Sequence, residues 1–300
     1  MTASETINKT PAIGFIGLGD MGAPMANNLA TRYDAGGLQL TVFDLNLIAD
    51  RVPASAQVAD ALTDIAAQCE IVFVSVPDGA ASQAVINGLL AQNNSSVRCV
   101  INLSTIGIDE CEQIVQSIAE ASFDYIDAPV SGGKAGAANG TITIMWSGSK
   151  SWFDELQPVL SAFARSLFFV GATPGQGQAL KLLNNYLSGV AMTATSEAVR
   201  FGLHHGLDMK TILDVVHVST GQNTAVSDKF QKRVLTETYD AGFRMALMEK
   251  DIALYKQGVE AAGLPANIVN VVSPYWQQGV ETFPDGDFTE IFKVIDRDAD

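Results

Sequence analysis

The chain has 300 residues, is 47% apolar and carries a formal net charge of −15, which gives it mass for a large core and excludes a disordered polymer. So acidic a protein has no basic surface with which to displace counterions from a nucleic acid, and an anionic ligand must find a local positive site. No run of about twenty apolar residues predicts a membrane span, and the N-terminal MTASETINKT lacks a leader's apolar centre, so the expectation is a cytoplasmic protein without membrane or nucleic acid partners.

The first predicted element is an apolar strand, Ile13 to Leu18, which runs into Gly17, Gly19 and Gly22 at the spacing G-x-G-x-x-G, with a helix over Ala23 to Ala30. In such a turn the first glycine permits the bend, the second lets a pyrophosphate approach the backbone, and the third lets the helix pack on the strand. The helix start offers N–H groups and a positive dipole end to phosphates. A second strand, Leu40 to Phe43, ends in Asp44. A carboxylate about 20 residues past the glycines accepts bonds from the ribose hydroxyls and repels a 2′-phosphate, which predicts NAD over NADP. A turn residue after a strand is the plainer account of Asp44.

Helices over Val58 to Gln68, Ala81 to Gln92 and Asp109 to Ala121 then alternate with strands at Ile71 to Val76, Cys99 to Leu103 and Tyr125 to Ala128. Repeated β-α-β predicts a parallel sheet covered by helices on both faces, with ligands beyond the carboxyl ends of the strands. The loops there read Val76-Pro77-Asp78, Ser104-Thr105 and Pro129-Val130-Ser131-Gly132-Gly133. A strand Thr141 to Trp146, a helix Trp152 to Ala164 and a strand Leu167 to Val170 complete this part. The Gly/Pro linker Gly171 to Gly175 marks a boundary, giving domains 1–172 and 173–300.

Past the linker the pattern is helical. Gln178 to His205 is free of proline, which predicts roughly 42 Å of helix with apolar residues on most sides. Further helices are expected over Met209 to His217, Ala225 to Leu235, Met245 to Ala262 and Ile268 to Gly279. A helix this apolar and long implies burial against a second subunit, hence a homodimer or homotetramer.

Lys181 lies in the first turns of that helix among leucines, with Asn185 four residues on and on the same face. Burial lowers a lysine's pKa toward the range of proton exchange, although a lysine reaching solvent from a helix end fits the same pattern. Ser131, Gly132 and Gly133 free backbone N–H groups for a carboxylate, or make an ordinary tight turn. Lys250, followed by Asp251, is either a site cation or a solvated helix residue. Cys69, Cys99 and Cys111 are unclustered, and with the histidines they form no metal pattern, no Ser/His/Asp set and no Cys/His pair.

Four segments in order, GFIGLGDMGAPMANNL, DAPVSGGKAGAANGT, GQGQALKLLNNYL and FRMALMEKDI, resemble the signature blocks of the β-hydroxyacid dehydrogenase family. The resemblance implies a Rossmann-type α/β N-terminal domain for NAD and an all-α C-terminal domain like that of 6-phosphogluconate dehydrogenase. It assigns Gly17, Leu18, Gly19, Asp20, Met21 and Gly22 to the cofactor with Asp44 at the ribose, and Val76, Pro77 and Thr105 to the cofactor's wall. It assigns Ser131, Gly132 and Gly133 to the substrate carboxylate, Lys181 to general acid/base catalysis with Asn185 beside it, and Lys250 to the nicotinamide or substrate. Lys134 and Trp146 stand where members of the family vary, which leaves the substrate open, and Ser219 to Asn223 resembles a substrate-side loop of the second domain. The implied activity is NAD-dependent oxidation of a small hydroxy acid, such as 3-hydroxyisobutyrate or a glycerate-like acid. An imine reductase of the same architecture and a non-catalytic dinucleotide-binding protein are the alternatives; the lysine weighs against both.

Overall fold

Runs of β-branched and aromatic residues bounded by glycine and polar turns form one sheet. The computed structural model describes residues 11–33, 37–92 and 94–295, so the reading of the N-terminal ten residues lies outside the described residues. The chain divides into two compact units, Met1–Lys181 and Leu182–Asp300.

The strands of the first unit are β1 (Ala12–Ile16), β2 (Gln39–Phe43), β3 (Gln57–Val58), β4 (Ile71–Val74), β5 (Cys99–Asn102), β6 (Asp124–Asp127), β7 (Val130–Ser131), β8 (Ile142–Ser147) and β9 (Ala164–Gly171). Between them run α1 (Gly22–Arg32), α2 (Leu62–Gln68), α3 (Gly79–Leu90), α4 (Ile108–Ser117), α5 (Gly133–Asn139) and α6 (Lys150–Leu160). The sheet order is β3-β2-β1-β4-β5-β6-β8-β7, with β9 beside β8. From β1 the chain moves outward through β2 and β3 and then returns to the other side of β1 at β4. That reversal opens a crevice beyond the carboxyl ends of β1 and β4, where ligands of open α/β sheets bind.

Strands β1 to β6 are parallel. The all-parallel expectation fails beyond them, because β8 runs antiparallel to both β6 and β7. The connection from β7 to β8, 132–141, is shorter than the dozen or more residues a parallel crossover takes. A second correction concerns Val58, which pairs with Val42 in β3 instead of opening a helix. Helix α2 starts at Leu62, where the Asp64 carboxylate accepts the Ala61 N–H at 2.9 Å. Two apolar layers flank the sheet: Ile13, Phe15, Phe73, Trp146 and Phe163 in one, Ile16, Ile65, Val72, Val100 and Cys111 in the other. Burial pushes the Cys69 thiol up to about 11 and raises Cys99 and Cys111 further still, so the cysteines serve as core residues.

Helix α7 (Gln176–His204) begins in the first unit and continues into the second. After it come α8 (Met209–His217), a wide-turned segment Ala225–Val234, α9 (Met245–Ala261), α10 (Asn267–Thr282) and α11 (Ile291–Val294). Among the described residues of this unit the only extended pairing is the bridge between Arg244 and Asp287. Its core holds Met192, Phe230, Met248, Trp276 and Phe292. α7 is not buried on most sides: Gln178, Lys181, Leu182, Asn185, Met192, Ser196 and Val199 make a buried stripe, while Leu187 and Phe201 are 59% and 68% exposed. Apolar residues off the stripe remain on the surface of the single chain. Among the described residues no helix is long and apolar enough to cross a membrane.

Candidate active site

The glycine turn joins β1 to α1 at the mouth of the crevice. Gly17 has φ +93°, and its N–H donates to the Phe43 carbonyl at 2.8 Å, which ties the turn to β2. A Cβ on Gly17 would stand 2.1 Å from the Ser75 carbonyl oxygen, and one on Gly22 would stand 1.9 Å from the Gly17 oxygen. A Cβ on Gly19 would meet nothing within 4 Å. The first and third glycines therefore serve internal packing, and the middle one faces open space, the arrangement a pyrophosphate requires. Asp44 closes the same corner: its Oδ2 accepts the Leu18 N–H at 2.6 Å and its Oδ1 accepts the Asn46 N–H at 2.7 Å. Each oxygen keeps a lone pair for a ribose hydroxyl. These residues fit a dinucleotide.

Two cations that the glycine motif does not announce complete this corner. Arg51 donates to the Leu18 carbonyl at 3.2 Å and to Asp20 Oδ1 at 2.9 Å. Lys134, in the first turn of α5, lies 2.6 Å from Asp20 Oδ2. The hydrogen bond from Lys134 and the nearby guanidinium of Arg51 hold the Asp20 carboxyl below its ordinary value against partial burial. Lys134 is thus engaged with the dinucleotide turn. Trp146, the other residue at a variable family position, is fully buried and packs against Phe153 in the core.

Val76 and Pro77 follow β4, and Thr105 follows β5, at the carboxyl ends of the strands. The Val76 N–H donates to Ser104 Oγ at 2.9 Å. Ser131 ends β7; Gly132 (φ +136°) and Gly133 (φ +62°) follow, and a Cβ on Gly133 would meet nothing within 4 Å. The backbone there takes a left-handed course with clear space in front of it.

Lys181 is 7% exposed on α7, in the turn before Asn185, and it has polar contacts of its own. Within the second unit the third and fourth signature segments meet: the Asn185 amide donates to Asp251 Oδ2 at 2.5 Å, and Asn184 donates to Asn185 Oδ1 at 3.1 Å. Asp251 is 2% exposed, and its Oδ1 lies 3.4 Å from Lys250 Nζ, outside hydrogen-bond geometry. Asp251 thus fixes Asn185, a link that the adjacency Lys250-Asp251 only hints at. Burial raises the Glu249 carboxyl above its ordinary value. In the stretch Ser219 to Asn223, the Asn223 Oδ1 accepts the Val226 N–H at 3.1 Å and its amide donates to Thr195 at 3.2 Å, a structural pair of bonds.

Two family models match successive parts of this chain: "NAD binding domain of 6-phosphogluconate dehydrogenase" over residues 12–171, and "NAD-binding of NADP-dependent 3-hydroxyisobutyrate dehydrogenase" over residues 175–295. The chain belongs to the β-hydroxyacid dehydrogenase family. It is 33% identical to a 2-(hydroxymethyl)glutarate dehydrogenase of Eubacterium barkeri over 279 residues, covering 91% of this chain and 90% of the relative. It is 32% identical to an NAD-dependent L-serine dehydrogenase of Pseudomonas aeruginosa, covering 95% and 97%. Its fold superposes with TM-score 0.86 on a Mycobacterium tuberculosis 3-hydroxyisobutyrate dehydrogenase solved with L-serine, 28% identical, with 96% and 99% of the two chains covered. As a member of this family the protein is an NAD-dependent hydroxyacid dehydrogenase, Rossmann-type in its N-terminal part and helical in its C-terminal part.

Proposed function

We propose that the enzyme oxidises 2-substituted 3-hydroxypropionates, HOCH2–CHX–COO⁻, to the corresponding semialdehydes, and reduces these in the reverse direction. The observation that carries the reading is Lys181, a buried lysine on the helix that follows the last strand of the dinucleotide-binding sheet, one turn ahead of an oriented asparagine. Similar proteins named for 2-(hydroxymethyl)glutarate, L-serine and 3-hydroxyisobutyrate share a primary alcohol β to a carboxylate and differ only at X. A glycerate-like acid has the same skeleton.

In this reading residues 1–172 hold NAD, and 173–300 serve substrate and assembly. Gly17, Leu18, Gly19, Asp20, Met21 and Gly22 take the phosphates, Asp44 the ribose hydroxyls, and Val76, Pro77 and Thr105 line the cofactor. NAD, when bound, supplies the hydride acceptor. Ser131, Gly132 and Gly133 anchor the carboxylate, leaving the alcohol toward Lys181. The lysine amine accepts the hydroxyl proton during oxidation and returns it during reduction, a contribution of roughly 10²- to 10⁴-fold. Asn185 holds the reacting oxygen or the lysine by its amide, and Lys250 adds positive charge near the carboxylate or nicotinamide. The three buried thiols, free of disulfides, suit a reducing, cytoplasmic setting. The exposed Leu187 and Phe201 on α7 support a homodimer or homotetramer.

A panel of hydroxy acids followed by NADH absorbance tests the class. L-Serine, 3-hydroxyisobutyrate, glycerate or 2-(hydroxymethyl)glutarate should exceed lactate, whose hydroxyl is on the α carbon, by at least about 10-fold in kcat/KM, the low end of what a misaligned reacting group costs. Lactate as the best substrate would exclude the reading. Cofactor choice rests on Asp44, whose charge opposes a 2′-phosphate. Asp44→Asn should lower the NAD over NADP preference by about 10-fold, one charge repulsion of about 1.4 kcal/mol. Steady-state kinetics with both cofactors decide it, and an unchanged ratio would remove Asp44 from that role.

A further inference from the structure

A chain of buried polar groups joins the cofactor-lining loops to the start of α7. Ser104 Oγ accepts the Val76 N–H, and the Ser104 carbonyl accepts Gln178 Nε2 at 3.0 Å. Gln178 Oε1 accepts the Ile106 N–H at 2.9 Å. The same Nε2 lies 2.5 Å from Asp127 Oδ1, whose other oxygen accepts the N–H groups of Gly175 at 2.9 Å and Gln178 at 3.0 Å and the Ser147 hydroxyl at 3.0 Å. Gln178, Asp127 and Ser147 are fully buried, and every one of these residues belongs to Met1–Lys181.

Asp127 sits at the end of β6 and takes two N–H groups that the opening turn of a helix leaves without intrahelical partners. Burial raises its carboxyl above the ordinary value, while the bonds from Gln178, Ser147 and Gly175 pull it back. Gln178 does what no apolar residue and no carboxylate can do at this position. Its amide donates to Ser104 and Asp127 and accepts from Ile106 at once, and Ser104 and Ile106 flank Thr105. A glutamate would lack the donor and would set a second carboxylate against Asp127. A residue needed only to fill the space would not need both ends of an amide. Gln178 precedes Lys181 by three residues, so both lie on one face of α7.

We propose that Gln178 is a positioning residue for Lys181: its amide pins the opening turn of α7 to the loop carrying Thr105 and so sets the lysine in register with the cofactor-lining segment. The proposal rests on the reading of Lys181 as the general acid/base. Its test compares Gln178→Met, which keeps length and loses the amide, and Gln178→Asn, which keeps the amide one methylene short. Each is made in the parent and on Lys181→Ala, with kcat, hydroxy-acid KM, NADH affinity by fluorescence and Tm measured, and assays run well below Tm. In the parent, both should lower kcat by about 10- to 10²-fold, the cost of a small misplacement, with KM and NADH affinity within about threefold. On Lys181→Ala the same substitutions should change kcat by less than about twofold, because nothing remains to be aligned.

Equal losses in both backgrounds would overturn the proposal and assign Gln178 to the fold or the cofactor wall, as would an unchanged kcat in the parent. Should Gln178→Met fail to fold, Gln178→Asn carries the comparison alone. Lys181→Ala with nearly full turnover would overturn the acid/base reading and this role together, a result visible in the single variant before any pair is compared.

Discussion

Lys181→Ala should lower kcat by at least about 10²-fold while NADH binds nearly as in the parent. The two effects separate because the proposed phosphate and ribose contacts, Gly17 to Gly22 and Asp44, lie in the turn from β1 into α1 and just after β2, far along the chain from α7. Removing the amine leaves the hydroxyl proton to water. Lys181→Arg should not restore turnover, since a guanidinium holds its proton throughout the working range. The alternative role is purely electrostatic. A lysine that only attracts the substrate carboxylate would be replaced well by arginine, and its loss would act mainly through KM. The measurement is kcat and KM for both variants, with NADH binding followed by fluorescence. An arginine variant within a few-fold of the parent in kcat would move Lys181 from proton transfer to substrate binding. Retained turnover in the alanine variant would remove Lys181 from proton transfer, and with it the residue that weighs against an imine reductase.

The dinucleotide corner is legible in the sequence because each part of it is a local constraint. Gly17 answers a positive φ and Gly22 a backbone contact, while Asp44 directly follows a mostly buried strand that pairs in parallel with β1. The long helix is legible for a similar reason, since no proline interrupts it. What escapes the sequence is non-local. Nothing in DAPVSGG says that Asp127 will cap a helix some fifty residues later, and nothing in GQGQALK says which of its glutamines is buried. Val58 reads as helix because its neighbours have helical spacing, yet the free edge of β2 captures it. The antiparallel β8 was hidden because α5 is too short and too rich in glycine and alanine to announce itself. Apolar residues around α7 suggested burial on most sides, but periodicity cannot tell a face covered by the same chain from one left bare, such as Leu187 and Phe201. The link between Asn185 and Asp251 was likewise invisible, because it joins two helices.

The glycine turn makes a second prediction of large effect, and it separates two jobs that one motif performs. Gly17→Ala should destabilise the protein and abolish NADH binding together. At φ +93° an alanine is strained by about 1–3 kcal/mol. Its Cβ also falls 2.1 Å from the Ser75 carbonyl oxygen, which is backbone and cannot rotate away. Relief requires β1 and the segment after β4 to move apart, at a further cost of about 1–3 kcal/mol, typical of forced overpacking. Roughly 2–6 kcal/mol in all corresponds to a fall in Tm of about 5–20 °C for a unit of this size. Gly19→Ala should behave oppositely. Its Cβ meets no protein atom within 4 Å, so Tm should stay within about 2 °C of the parent. That methyl occupies the space assigned to the pyrophosphate, so NADH affinity should fall by about 10-fold or more, the loss of roughly one close backbone hydrogen bond to a charged group. Differential scanning calorimetry and NADH fluorescence titration read the two quantities separately. A Gly19→Ala protein that binds NADH like the parent would show that the open face of the turn is not where the phosphates lie.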